Sequence, residues 1–224
     1  MPTLFHSDRI KTAKGDLIFS RIATISIIVI HFFGALGLSY PPLRPYFQLA
    51  TPLNLLITGV LLFYFHRQWN FQFYIFAAVC FSLGFLVEVA GVKTGVIFGE
   101  YSYGPTLGFK IWEVPVLIGL NWLILIYCTG MWAHQLVKNV FLRSLLGSVM
   151  MVILDFFIEP VAVSLDFWTW QGGEIPTHNF VGWLITAFLL QFFFHLSNFK
   201  KQNALAKRIL YVQAFFFIFL QTLI

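Results

Sequence analysis

The strongest constraint on the fold is a series of seven long apolar runs. They cover residues 18–39, 49–65, 72–90, 113–133, 143–164, 179–196 and 206–224. Most come close to the roughly 20 residues that a helix needs to cross the hydrocarbon core of a bilayer. The runs lack the alternation of barrel strands, and an open sheet cannot satisfy its backbone in lipid. With 59% hydrophobic and 10% charged residues, the sequence predicts an all-α membrane protein, a bundle of about seven transmembrane helices in a single domain covering residues 1–224.

The basic residues predict how this bundle is oriented. Eleven of the fourteen Lys and Arg residues fall on the side of the N-terminus. They are Arg9, Lys11, Lys14, Arg21, Arg67, Lys138, Arg143, Lys200, Lys201, Lys207 and Arg208. Only Arg44, Lys93 and Lys110 fall on the opposite side. Because cytoplasmic loops are enriched in Lys and Arg, we expect a cytoplasmic N-terminus and an external C-terminus. The basic residues are spread over short loops between apolar runs, which is typical of residues that set membrane topology. They do not predict a nucleic-acid partner.

A weak internal repeat relates the third and fourth helices to the fifth and sixth. Glu88 is followed fifteen residues later by Tyr103 in "YSY", and Asp155 is followed fifteen residues later by Trp170 in "WTW". The segments "PVLIGLNW" and "PTHNFVGW" then each place a Pro and a Trp seven residues apart. Repeats of this kind often frame a membrane site at their interface. Duplication of helices 3–4 and 5–6 is one interpretation, and chance similarity in so aromatic a chain is the other.

Three acidic residues in apolar runs are the candidates for chemistry. Asp155 and Glu159 are four residues apart and therefore lie on one helix face. Glu88 occupies a similar depth near the end of the third run. A charged side chain inside a membrane costs on the order of 3 kcal/mol, so such acids face a polar cavity, form pairs or bind a proton. Two neighbouring carboxyl groups can supply one acid and one base, which predicts Asp155, Glu88 and Glu159 as catalytic residues.

Eight further residues are candidates for the binding part of such a site: four polar residues at the depth of the acids and four aromatic residues in the adjoining loops. They are Glu113, Asn121, His178, Asn179, Tyr101, Tyr103, Trp168 and Trp170. Each also has a structural interpretation: the asparagines can cap or join helices, and the aromatic rings can form an interfacial belt. Glu88 can pair with Lys93 at the membrane interface. Glu113 can likewise pair with Lys110.

Several cofactor classes have no matching motif. The six histidines are scattered and do not form the short-spaced clusters of di-iron enzymes. No aspartate-rich pairs for magnesium and no glycine loop for phosphate are present. Cys80 and Cys128 lie inside predicted helices without the spacing of metal ligands. The sequence therefore predicts neither a metal nor a cofactor.

Two segments resemble a known family. They read "EVAGVKTGVIFGEYSYGPTLGFKIWEVPVLIGLNW" (88–122) and "DFFIEPVAVSLDFWTWQGGEIPTHNFVGW" (155–183). They resemble the carotenoid biosynthesis membrane family, which includes γ-carotene 1′-hydratase and bisanhydrobacterioruberin hydratase. The small membrane lycopene cyclases share the rhythm of acid, aromatic loop and proline. Their proline followed by paired glutamates is reduced here to Glu159 before Pro160, which weakens the resemblance to cyclases.

The resemblance implies a cofactor-independent carotenoid 1′,2′-hydratase in a prokaryotic cell membrane. Its substrate is the acyclic end of γ-carotene, lycopene or a similar carotenoid taken from membrane lipid, and water is the second reactant. A carboxylic acid protonates the terminal double bond, and a carboxylate positions the water that captures the tertiary cation. On this sequence Asp155 is the first candidate for the acid, with Glu88 or Glu159 as base. A carotenoid cyclase and a non-catalytic carotenoid-binding protein are the alternatives.

Overall fold

The computed structural model describes the backbone of residues 3–224 and the side chains of residues 17–224. Its helices are α1 (Thr3–Ser39), α2 (Arg44–Tyr64), α3 (Phe71–Thr94), α4 (Leu117–Leu136), α5 (Val140–Ser164), α6 (Thr177–Leu196) and α7 (Ala206–Gln221). Its strands are β1 (Tyr101–Tyr103), β2 (Lys110–Ile111), β3 (Val114–Pro115) and β4 (Trp168–Trp170). The prediction of orientation also used Arg9, Lys11 and Lys14. The side chains of these three residues lie outside the described range.

Six of these helices are long and apolar enough to cross a membrane. They are α2 to α6 and the Leu17–Ser39 part of α1. The last helix, α7, has 16 residues, fewer than the roughly 20 that a straight span requires. The prediction of a membrane-integral helical bundle is therefore confirmed. The cytoplasmic position of the N-terminus and the seventh crossing remain predictions.

Local capping signals explain where the two acid-bearing helices begin. The Asn70 side chain accepts a hydrogen bond of 2.9 Å from the Phe73 N–H at the start of α3. The Asn139 side chain accepts one of 3.1 Å from the Leu142 N–H at the start of α5. Asparagine is among the best residues for this role because its oxygen satisfies an otherwise unpaired N–H. Both helices then run in the same direction and carry their acids towards the same end of the bundle.

The two aromatic loop segments pair with each other as an antiparallel ribbon. Tyr101 lies opposite Trp170, and Tyr103 lies opposite Trp168. This ribbon joins the connection after α3 to the connection after α5. A second short hairpin pairs β2 with β3. The ribbon covers the end of the bundle towards which α3 and α5 run, and we call this end the ribbon side.

Helix α4 lies at the centre of the bundle and is buried along most of its length. It packs against α3, α5, α6 and α7. At the interface of α4 with α6, the rings of Trp122 and Trp183 stack with their centroids 4.4 Å apart. These are the two tryptophans that the internal repeat places in equivalent positions. The stack is consistent with duplication, which itself remains a prediction.

Candidate active site

Glu88, near the end of α3, accepts three hydrogen bonds from aromatic side chains. Its Oε2 accepts from the hydroxyl groups of Tyr101 at 2.5 Å and Tyr103 at 2.8 Å. Its Oε1 accepts from the indole N–H of Trp122 at 2.9 Å. The side chain is 3% exposed. Glu88 is therefore held by the ribbon on one side and by α4 on the other.

Glu159, near the end of α5, has a parallel set of donors. Its Oε2 accepts from the indole N–H groups of Trp168 and Trp170, each at 2.9 Å. Its Oε1 accepts from the amide nitrogen of Asn179 in α6, also at 2.9 Å. Glu159 is 1% exposed. Each strand of the ribbon thus binds one glutamate through its two inward-facing aromatic residues.

Asp155 lies one turn before Glu159 and has far fewer partners. Its Oδ2 accepts a bond of 3.3 Å from the same Asn179 amide nitrogen. Its Oδ1 is buried without a hydrogen-bond partner among the described residues. Asp155 is 0% exposed. The Asn179 amide therefore bridges the two acids of α5, with one N–H directed to each.

All the donors to these three carboxyl groups are neutral. Burial, followed by the neighbouring Glu88 carboxylate, raises the pKa of both Tyr101 and Tyr103 above the usual value. The phenols consequently remain protonated and act as donors. Within the described residues, the hydrogen-bond donors to these three groups are tyrosine, tryptophan and asparagine side chains, none of which carries a positive charge. Three adjacent buried negative charges without a cation are too unfavourable to persist, so the cluster retains at least one proton.

A small cavity of about 20 Å³ lies between the two glutamates. Its walls include Glu88, Glu159, Asn121 and Asn179, together with the four ribbon aromatics. This volume is sufficient for one water molecule. The side-chain oxygen of Asn179 accepts no hydrogen bond from a described residue, so it is available to such a water. Asp155 does not line this cavity.

A larger apolar cavity of about 250 Å³ lies beside the small one, among α1, α2, α4, α5 and α7. The two cavities share Ile118, Asn121 and Trp168 as walls. Leu53, which is 58% exposed, lines the large cavity where α2 faces the membrane. The large cavity therefore extends from a lipid-facing wall to the three residues that it shares with the small cavity.

On the ribbon side, a polar recess of about 470 Å³ covers the outer face of β1 and β4. Lys93, Glu100 and Gln171 contribute to its walls. It shares Tyr101 and Trp170 with the small cavity. The small cavity with Glu88 and Glu159 thus lies between a polar recess and an apolar chamber, and it shares wall residues with each.

Most of the residues predicted from sequence come together here. Those that line the small cavity are Glu88, Glu159, Asn121, Asn179, Tyr101, Tyr103, Trp168 and Trp170. Asp155 joins them through Asn179. His178 is exposed at the start of α6 and lies outside the small cavity. The role of every one of these residues in catalysis or binding stays a prediction.

Glu113 lies away from the acids and forms an ion pair of 2.7 Å with Lys93. Its side chain is 68% exposed, in a turn with a φ of 72°. The alternative pairs of Glu88 with Lys93 and of Glu113 with Lys110 are therefore wrong. The Lys110 ammonium instead donates to the backbone carbonyl of Tyr103 at the ribbon. The turn between β2 and β3 turns Glu113 outwards, which the spacing of residues along the chain does not reveal.

Two tryptophans of the site were absent from the predicted set. Trp122 donates to Glu88, and Trp183 stacks on Trp122 while lining the small cavity. The sequence contained one signal for them, because each follows a proline by seven residues in the internal repeat. Gly84 allows this arrangement, because a Cβ at its position would lie 2.5 Å from the Trp122 Cβ.

Within the described residues, no three His, Cys, Asp or Glu side chains are grouped so that they could hold a metal ion. The prediction of a reaction without a metal or cofactor is not tested by this observation.

Comparison with known proteins identifies the family of the chain. A family model described as carotenoid biosynthesis protein matches residues 50–224, which is more than three quarters of the sequence. The chain therefore belongs to the carotenoid biosynthesis protein family. Its relatives include the bisanhydrobacterioruberin hydratase of Haloarcula japonica, which is 29% identical over 123 residues. That alignment covers 49% of this chain and 40% of the relative's length. No solved structure matches the chain.

Proposed function

We propose that the protein is a carotenoid hydratase that adds water to the terminal 1′,2′ double bond of an acyclic carotenoid end. Membership of the carotenoid biosynthesis family and the name of the Haloarcula relative support the substrate class and the reaction. The observation that carries the proposal is the position of Glu88 and Glu159 around a water-sized cavity between an apolar chamber and a polar recess. The enzyme acts in a prokaryotic cell membrane.

The substrate enters from lipid through the wall that contains Leu53. A cavity of about 250 Å³ accommodates the end group, and the remaining polyene stays in the surrounding lipid. The isopropylidene end then lies against Ile118, Asn121 and Trp168, where the two cavities meet. Water reaches the small cavity from the polar recess, past the rings of Tyr101 and Trp170.

The hydrogen bonds suggest how protons are distributed before the reaction. Glu88 and Glu159 each accept three bonds from groups that act as donors, which suits the ionised form. Asp155 accepts one long bond and has one oxygen without a partner. We therefore place the retained proton on Asp155. This keeps the acid role predicted for Asp155 but makes its action indirect, because it does not line the cavity.

The reaction balances without an external reagent. The proton passes from Asp155 to Glu159, and from Glu159 to the less substituted alkene carbon. The neighbouring carbon becomes a tertiary cation. Glu88 takes a proton from the water as the water oxygen bonds to that carbon, which yields a tertiary alcohol. Proton transfer from Glu88 back to the acids of α5 completes the cycle.

The aromatic walls favour the cationic intermediate. The electron-rich faces of indole and phenol rings attract a cation. Trp168 lines both cavities at the position that we assign to the reacting carbons, and Tyr103 lies with its ring centroid 6.0 Å from that of Trp168. Because these groups are fixed by the ribbon before the substrate arrives, the stabilisation needs little reorganisation.

The product distinguishes this function from its alternatives. Purified protein in lipid nanodiscs is incubated with lycopene, and the pigments are analysed by chromatography and mass spectrometry. Hydration yields a product heavier by one water for each modified end. An unchanged mass with a newly formed ring identifies a cyclase. Retention of unmodified lycopene alone identifies a carotenoid-binding protein.

The Asp155→Asn variant is expected to lose most of its turnover. The change preserves shape but removes the transferable proton, and general acid catalysis contributes about 100-fold or more to rate. Asp166→Asn is the matched control, because Asp166 is exposed in the loop after α5 with a φ of 55° that asparagine tolerates well. Rates are measured with lycopene at saturation. Undiminished turnover of a folded Asp155→Asn enzyme would remove Asp155 from the mechanism.

A further inference from the structure

Two polar side chains of the large cavity have no role in the mechanism above. Gln213 of α7 is 7% exposed, and its Oε1 is buried without a hydrogen-bond partner in the described part of the chain. His31 of α1 is 6% exposed, and its Nδ1 donates to the carbonyl of Ile27 at 2.8 Å. In the neutral imidazole this leaves Nε2 as an acceptor. Both side chains line the same apolar cavity.

These two groups lie at matching depths. His31 precedes the end of α1 by eight residues, and Gln213 precedes the end of α7 by eight residues. Both helices run towards the ribbon side, so each residue lies about 12 Å below its helix end. Glu159 precedes the end of α5 by only five residues, or about 8 Å. The acceptors are therefore farther from the ribbon than Glu159, and they lie at nearly the depth of Asp155, which precedes the end of α5 by nine residues, or about 14 Å.

An unpaired acceptor that lines an apolar cavity favours a ligand that can donate a hydrogen bond. A buried polar group without a partner is costly, and a terminal polyene end has no donor to offer. The hydrated end of the product has one, because the reaction creates a tertiary alcohol. We infer that Gln213 and His31 form a subsite that binds the hydroxyl group of the product after it leaves the acids. This inference rests on the proposed function and deepens it.

The subsite has a chemical purpose. A new hydroxyl group that moves through the apolar cavity towards lipid would lose its hydrogen bonds to the acids and gain none. The Gln213 oxygen replaces one of them along this path. Retention of the hydroxylated end follows, so the product competes with fresh substrate for the cavity.

The test compares binding of two ligands without turnover. Purified protein in nanodiscs is titrated with lycopene and with the tertiary diol that forms when water is added to the terminal double bonds at both ends of lycopene. Binding is followed by quenching of tryptophan fluorescence. The Gln213→Met variant, which keeps the side-chain length, is expected to bind the diol about tenfold more weakly than the wild type does. Its affinity for lycopene should not change, which also reports that the variant is folded.

Thr51→Val is the matched control, since Thr51 lines the same cavity but its hydroxyl already donates to the carbonyl of Phe47 at 3.0 Å. Its affinity for the diol should equal that of the wild type. Equal affinity of Gln213→Met and wild type for the diol would overturn the subsite, whatever the turnover. A third outcome is that the wild type does not hydrate lycopene but still binds the diol more tightly than Gln213→Met does. This outcome would overturn the proposed function, and the cavity would remain a binding site for hydroxylated isoprenoids.

Discussion

Replacing Glu159 by Gln is expected to lower hydration at least about 100-fold. Glutamine keeps the size of the side chain but can neither carry a proton to the alkene nor accept one. Trp168, Trp170 and Asn179 all direct N–H groups at the Glu159 carboxylate. The amide N–H groups of a glutamine at this position would therefore face other donors. Turnover of lycopene in nanodiscs, measured beside lycopene binding, reports the effect. The loss should appear in kcat, since the substrate contacts the large cavity.

Glu113→Gln supplies the control for this change. Glu113 lies on the same side of the bundle, but its carboxylate is exposed and paired with Lys93. An exposed ion pair contributes little to stability, so turnover should remain within about twofold of the wild type. A Glu159→Gln enzyme that hydrates lycopene at the rate of Glu113→Gln would show that the cluster performs no proton transfer.

Gly104→Ala is expected to destabilise the protein by about 1–3 kcal/mol and to reduce turnover at least about tenfold. Gly104 directly follows β1, and its N–H donates to the carbonyl of Phe167 at 2.9 Å. A Cβ at this position would overlap the backbone carbonyl oxygen of Asp166. Backbone cannot rotate away as a side chain can, so β1 and β4 must separate. The four aromatic donors to Glu88 and Glu159 would then shift together.

The control is Gly172→Ala, located just beyond β4. Gly172 has a φ of 82°, but a Cβ there would meet no atom within 4 Å. Its replacement costs only local backbone strain, about 1–2 kcal/mol, and should leave the ribbon and turnover intact. Thermal unfolding and lycopene turnover of both variants are compared. If Gly104→Ala retains full turnover, the ribbon does not position the acids.

The sequence predicted the location of the site better than its internal bonding. Polar residues in apolar runs are rare enough that Glu88, Asp155 and Glu159 were distinguishable by position alone. The four-residue spacing correctly placed the two acids of α5 within reach of one partner. That partner is Asn179, which bridges them from another helix. The depth of a residue in the membrane can be estimated by counting from the ends of its helix. For this reason the three acids and Asn179 were predicted to lie at similar depths.

The remaining features depend on contacts between distant segments. Pairing of β1 with β4 joins strands that are about 67 residues apart, and short strands in lipid-facing proteins leave no periodicity to detect. The pairing of Glu113 with Lys93 follows from a turn with positive φ at Trp112 and Glu113. Such conformations are uncommon for residues other than glycine. The Gln213 and His31 acceptors belong to runs that the apolar pattern assigns simply to membrane helices.

In the proposed reaction, buried carboxyl groups deliver a proton and a water molecule to one double bond. Reaction with lycopene in deuterated water enriched in oxygen-18 follows both additions in one product. We expect a product alcohol that carries one oxygen-18 and one non-exchangeable deuterium on the neighbouring carbon. A hydroxyl oxygen without the label, or a product without carbon-bound deuterium, would contradict it.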